Sequence, residues 1–241
     1  MQLDCMKRSG FTLIELLVVV ALIAVLAGIT VPVVNTVQAR SKQTACASNL
    51  RQIGAAMMLF CNENEGRFPG STHDGHKEKS WIFTLAPYLS QLDEVRICPA
   101  DPLREQRLAT ESTSYMMNDY LVAPEWDQEG NVIGAFASRQ RLQFPARTIT
   151  TFIASDRKLG TSADHAHCTN WRKGWKAVLA DIAPDRHRTG AQSADRTRGS
   201  ANYLYADGHV ENHEAKRVHE LVELKRINIG KPPDDPTQET L

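Results

Sequence analysis

Hydrophobic and polar positions divide this chain into three regimes. Residues 11–34 are almost unbroken apolar, residues 35–62 place apolar side chains every three or four positions, and the remainder alternates short apolar runs with turn-forming residues. In the first regime about 24 residues at 1.5 Å each make roughly 36 Å of helix, enough to cross a bilayer core with some tilt. That run holds one carboxylate, Glu15. An acid at membrane depth costs roughly 2.5–3.5 kcal/mol on insertion scales, so Glu15 needs a compensating role. Pro32 removes one backbone hydrogen bond and Gly28 loosens the turn before it, which predicts a kink. In the second regime Ala39, Ala45, Leu50, Ile53, Ala56, Met57, Phe60 and Cys61 fall largely on 3–4 spacings, with Arg40, Lys42, Gln43, Arg51 and Gln52 between them. One helix over residues 11–62 follows, its second half laying an apolar stripe on a folded domain. The stop is Asn64-Glu65-Gly66-Arg67-Phe68-Pro69, with glycine near the end and proline just after.

The third regime predicts small elements. Residues 81–92 read as a short amphipathic helix interrupted by Pro87, and residues 95–102 as a strand running into a turn with two prolines. Strands are expected over 114–122 and 148–154, the latter β-branched and apolar. Ala201 to Glu211 carries aromatic and aliphatic residues on either side of Asp207-Gly208, the pattern of a hairpin with a two-residue turn. Residues 214–227 read as a helix, and 231–241, with three prolines and several acids, as a disordered tail. The fold class expected is α+β: a long N-terminal membrane-anchoring helix packed on a small antiparallel β-sheet domain with loop-rich insertions. The divisions are a leader over 1–10, a membrane helix over 11–34, its amphipathic continuation over 35–64, a globular domain over 65–230 and the tail over 231–241.

Charge changes this picture by exclusion. Lys and Arg number 28 and Asp and Glu 28, so no broad basic field advertises a nucleic acid partner. Lys7 and Arg8 flank one end of the apolar run while Arg40, Lys42 and Arg51 follow the other, so charge counting leaves the topology open. An ordinary secretory signal cut near Val25-Leu26-Ala27 competes with the anchor reading, as does an unprocessed signal anchor; Glu15 and the length of the run count against the former.

Candidate chemistry is sparse. The cysteines are Cys5, Cys46, Cys61, Cys98 and Cys168. Cys46 and Cys61 would lie roughly 22 Å apart on one straight helix and cannot bond there. A disulfide from Cys98 to one of the others and buried free thiols both remain open. His73 with His76, and Asp164-His165-Ala166-His167-Cys168, contain metal-ligand types, but no second cluster of matching type accompanies them. Trp171 and Trp175, four apart, suit a hydrophobic face better than a stacking platform. No Gly-x-Ser-x-Gly elbow, His-Glu-x-x-His helix or phosphate-cradling glycine loop is present, so no enzyme is expected.

The stretch Arg8-Ser9-Gly10-Phe11-Thr12-Leu13-Ile14-Glu15-Leu16-Leu17, running on apolar to Val34, resembles the N-terminus of type IV prepilins, a class that includes the pseudopilins of type II secretion. The resemblance implies that a prepilin peptidase cleaves after Gly10 and that Phe11 becomes the methylated N-terminus. It further implies that Glu15 pairs with the terminal amine of a neighbouring subunit during assembly. The partners implied are that peptidase, other pilin-like subunits, a secretion or pilus assembly platform and the membrane. The expected location is the inner membrane, single-pass, with the globular domain periplasmic.

Cys46-Ala47-Ser48-Asn49-Leu50-Arg51-Gln52-Ile53-Gly54, Asn62 through Pro69, Cys98-Pro99-Ala100-Asp101 and Asn202 through Val210 together resemble a pilin-like family of planctomycete-type bacteria. Its C-terminal motif is a histidine, nine residues, then Asp-Gly. Here the candidate is His187, separated from Asp207 by nineteen residues, as an insertion around 189–198 would produce. Major pseudopilins, which this chain resembles in architecture, bind calcium through C-terminal loop oxygens. The resemblance therefore implies Ca²⁺ as a candidate ligand of Asp207, with Asp156, Asp181 or Asp185; the plain alternative is a turn. The function expected is a structural pseudopilin or pilin-like subunit. The alternative is a membrane-tethered extracytoplasmic module that binds a polymer or metal and uses the prepilin segment for export.

Overall fold

In the computed structural model the residues described are 12–72, 80–122, 125–126, 132–134, 137–160, 163–187 and 193–241. His73 and His76 lie outside them. Helix α1 spans Leu13–Glu63 and continues without a break through Pro32. The chain divides into two units, Met1–Gln38 and Ala39–Leu241. In the first, the Thr30 and Thr36 hydroxyls donate to the Leu26 and Pro32 carbonyls at 2.7 and 3.0 Å, so both polar groups are satisfied inside the apolar run.

In the second unit the C-terminal half of α1 buries Cys46, Leu50, Ile53, Ala56, Met57 and Cys61, a stripe at the helical period. Each fully buried aliphatic side chain contributes roughly 1.5–3 kcal/mol. The helix stops where the backbone turns left-handed at Glu65 (φ 54°) and Gly66 (φ 79°), and the Gly66 N–H donates to the Cys61 carbonyl at 2.7 Å.

Beyond it come the short helices α2 (Trp81–Thr84), α3 (Leu92–Val95) and α4 (Arg104–Ala109). The strands β1 (Tyr115–Asn118), β4 (Ile149–Ile153), β5 (His165–Ala166), β6 (Ser200–Tyr205) and β7 (Val210–Glu214) form one sheet in the order β5-β1-β4-β6-β7. A separate pair joins β2 (Glu125–Trp126) to β3 (Val132–Gly134). Helices α5 (Trp175–Asp181) and α6 (Ala215–His219) complete the set. The result is the expected α+β class, a long helix packed on a small sheet. The sheet is mixed and not purely antiparallel, because β5 runs parallel to β1.

Several local expectations change. The interruption expected at Pro87 within 81–92 is present and goes further, leaving α2, a single 3₁₀ turn over Ala86–Tyr88 and α3, because Pro87 lacks the N–H that a continuous helix needs. No strand forms over 95–102. Pro99 and Pro102 remove two ladder donors, and the Asp101 N–H closes a turn on the Cys98 carbonyl at 2.9 Å. The strand expected over 114–122 ends at Asn118, whose side chain caps a 3₁₀ turn by accepting from the Tyr120 N–H at 3.2 Å. The β6–β7 hairpin has a three-residue turn in place of two. The Gly208 N–H donates to the Tyr205 carbonyl at 2.9 Å, Gly208 takes φ 93°, and the Tyr205 N–H donates to the His209 carbonyl at 3.0 Å. That is a type I turn closed by a glycine bulge.

The segment expected as a disordered tail is tied down. Arg147 donates to the carbonyls of Pro236, at 2.7 Å, and Gln238, while Glu239 pairs with Arg217 and Lys225 at 2.8 Å each. Leu241 packs against the core. Prolines cannot donate, so such a segment needs few partners to be satisfied, and cations far away in sequence supply them.

Gly54 fixes how closely α1 approaches the hairpin. A Cβ there would stand 2.8 Å from Leu204 Cδ1 and 3.4 Å from the Gly208 carbonyl oxygen. Gly54→Val is expected to lower stability by about 1–3 kcal/mol, the usual cost of overpacking, read as a lower urea midpoint. Gly54→Ala should cost less, because the flexible end of Leu204 can shift and alanine favours helix by about 1 kcal/mol.

Candidate functional site

Gly10 and Phe11, the expected processing positions, lie outside the described residues. The helix they lead into begins at Thr12 and Glu15. The Thr12 N–H and hydroxyl both donate to Glu15 Oε2, at 2.8 and 2.7 Å, and the Glu15 N–H donates back to Thr12 Oγ1 at 3.3 Å. Thr12-Leu13-Ile14-Glu15 is thus a reciprocal capping box, which satisfies two otherwise orphaned N–H groups. The Thr-x-x-Glu spacing carries its signal in the sequence. Glu15 therefore holds the helix start as well as placing a carboxylate at the head of the apolar run.

Along that run every large aliphatic side chain from Leu13 to Val37 is open, with exposures between 43 % and 88 %. This is the one described helix long and apolar enough to cross a membrane. A continuous apolar surface of this extent requires lipid or neighbouring helices around it.

The acids considered for calcium are not brought together. Asp207 sits in the hairpin turn with His209 Nδ1 at 2.5 Å, and the His209 ring stacks on Tyr205 at 4.3 Å. Asp185 is buried and pairs with Arg196 at 2.5 Å, and Asp156 pairs with Arg186 at 2.5 Å. Asp185 and Asp156 therefore each have an arginine of their own, and Asp207 a histidine. Among the described residues, one group of metal-ligand types converges, and it is Cys46, Cys98 and His187.

The residues 164–168 also disperse. Asp164 accepts from the Ser80 hydroxyl at 2.7 Å and the Thr72 hydroxyl at 2.9 Å, with His165 Nδ1 at 3.0 Å. His167 instead faces Asp181 at 3.2 Å, and the Cys168 N–H donates to Asp119 at 3.1 Å. Trp171 packs on Phe152 and Trp175 on His219, both tryptophans buried, so no aromatic platform is offered to a polymer there.

Asp181 gathers Lys158 at 2.9 Å, Asn170 at 2.7 Å and the His167 N–H at 3.0 Å. Burial alone would push its carboxyl up, but the bonds from His167, Lys158 and Asn170 outweigh that and hold it at about 2, against an ordinary 3.8. Because the folded value lies below the unfolded one, the stabilisation is fully present above pH 3.8 and is lost as pH falls through about 2. Asp181→Asn should remove about 2 kcal/mol of stability at neutral pH and flatten the acid side of a thermal-melt pH series.

His187 reaches the hairpin strand but not its turn. It exchanges backbone bonds with Ser200, at 2.8 and 3.0 Å, and its Nε2 lies 3.4 Å from Asn202 Nδ2. The nineteen-residue spacing to Asp207 is thus compatible with a place beside β6.

Comparison with known proteins bears on the N-terminus. Residues 5–31 match the family model described as the prokaryotic N-terminal methylation motif. The type IV major pilin protein PilA of Myxococcus xanthus (strain DK1622) is 44 % identical over 59 residues, 24 % of this chain and 27 % of that protein. The chain thus matches about a quarter of that pilin's length. No solved structure matches the chain. The motif and the helix together make this a prepilin-like chain, and they indicate a membrane-anchored, single-pass protein.

Proposed function

We propose that this chain is a structural, non-catalytic pilin-like subunit of a type II secretion pseudopilus or a related fibre. A prepilin peptidase cleaves after Gly10, Phe11 becomes the methylated N-terminus, and the apolar half of α1 passes from the inner membrane into the fibre. The globular domain stands on the periplasmic side. The observation that carries this reading is the motif over residues 5–31 leading directly into a wholly exposed apolar helix with a single acid, Glu15. Lipid and packed neighbouring helices offer the same apolar surroundings, so the helix can move from one to the other at little cost in burial. The acid then finds its compensating charge on the amine of an adjacent chain.

Intact mass of the protein extracted from membranes tests the first step. The expected species begins at Phe11 and carries one added methyl group. A species that retains the leader, or one that begins at Gly28, overturns the reading. Gly10→Val should block cleavage and leave the leader in place, since a β-branched side chain stands where the peptidase meets none.

A further inference from the structure

We propose that Cys46, Cys98 and His187 form a zinc site buried between α1 and the sheet. The three donors come from distant parts of the chain: the buried face of α1, the turn after α3 and the segment that bridges to β6. Their ligand atoms all lie within 4.8 Å of one another. A tetrahedral zinc ion with Zn–S bonds of about 2.3 Å has ligand-to-ligand edges of about 3.8 Å, which fits inside that separation.

Three further observations point to an ion. Both thiols are free, although both are fully buried and adjacent. His187, 4 % exposed, keeps its Nδ1 buried with no hydrogen-bond partner. A buried polar atom in that state carries a cost that a ligand would remove. Polar groups also surround the cluster: the Tyr115 hydroxyl lies 3.5 Å from Cys46 Sγ, and Asn202 bonds to the Gln43 carbonyl at 2.9 Å and to Asn212 at 2.9 Å beside His187. Such outer contacts orient ligands and set their basicity.

The charge balance suits the interior. On binding, each thiol releases its proton to water as its sulfur bonds the metal, and His187 lends a ring-nitrogen lone pair. No electrons are transferred. Two thiolates, a neutral imidazole and Zn²⁺ sum to zero, which a buried site tolerates far better than a lone thiolate. A cation between the two sulfurs favours both thiolates. Three protein donors leave a fourth position for water. The mixed sulfur and nitrogen set selects a borderline ion such as zinc over calcium or magnesium. Bound there, the ion ties helix, turn and sheet together, and it does so whether or not the chain assembles into a fibre.

The test uses the full chain, purified in detergent without reductant or chelator. Metal analysis should find one zinc per chain, falling to background in Cys98→Ser and in His187→Gln and unchanged in Cys61→Ser and Cys168→Ser. Exchange of zinc for cobalt in the unsubstituted chain should give a thiolate-to-cobalt absorption band, a readout that needs no variant to fold. Two results would overturn the site. One is a chain that holds no metal after incubation with equimolar zinc and gives no cobalt band. The other is an intact mass lighter by two hydrogens, with a linked Cys46–Cys98 peptide, which identifies a disulfide.

Discussion

Asp101→Ala is expected to lower folding stability by about 3–5 kcal/mol, the cost of stranding a buried charge without its partner. The stranded group is Arg107, which has no exposed surface. Its Nε donates to Asp101 Oδ2 at 2.6 Å, Nη1 to the Thr113 and Lys158 carbonyls at 2.9 and 2.7 Å, and Nη2 to the Ser155 carbonyl at 3.0 Å. Asp101 also accepts from the Ser114 hydroxyl at 2.6 Å and the Leu103 N–H at 2.9 Å. The pair therefore joins the turn after Cys98, α4, the approach to β1 and the loop beyond β4. Its loss would loosen four connections at once.

Asp101→Asn should cost less, because one oxygen still accepts. Burial pushes the Asp101 carboxyl up, but Arg107 and then Arg186 outweigh it and the group is held below its usual range. Its contribution is thus present at neutral pH and is lost in acid. Urea midpoints of the detergent-solubilised chain at pH 7 measure both variants. A loss below about 1 kcal/mol for Asp101→Ala would show that the guanidinium finds water or another acceptor.

Glu15→Gln is expected to abolish fibre assembly while leaving membrane insertion and N-terminal processing intact. The capping box separates this substitution from simple damage to the helix. A glutamine side chain still accepts from the Thr12 N–H and hydroxyl, so the helix start survives, but the negative charge is gone. If the charge pairs with a neighbour's amine in a dry setting, each contact loses well over 1.4 kcal/mol. Fibre yield should then fall at least tenfold, since 1.4 kcal/mol per contact is a factor of ten in the equilibrium constant. Sheared-fibre yield against membrane-fraction protein measures it. Equal yields would mean that Glu15 serves only as a cap and that assembly rests on apolar packing alone.

Individual residues show why some of this was readable and some was not. The long helix follows from the apolar run over 11–34 and the Leu50-Ile53-Met57-Cys61 spacing, both periodic over many turns. Strand β4 follows from five consecutive β-favouring residues. Local pattern misjudged residues 95–102, where side-chain type suggested a strand and the two prolines removed its donors. It also misjudged 231–241, where composition suggested disorder and Arg147, Arg217 and Lys225 hold the segment in place. In the second case the deciding partners lie outside the local window.

By itself the sequence determined the prepilin-like N-terminal stretch, the apolar helix with Glu15 near its head, and the α+β class. These are properties of contiguous residues, where composition and a 3.6-residue period suffice. Only the tertiary structure decided which side chains meet. It gave each acid considered for calcium its own cation or histidine, and buried Arg107 against Asp101. It also brought Cys46, Cys98 and His187 to one point. Ligand geometry depends on chain segments far apart in sequence, and no spacing rule reports how the loops between them close.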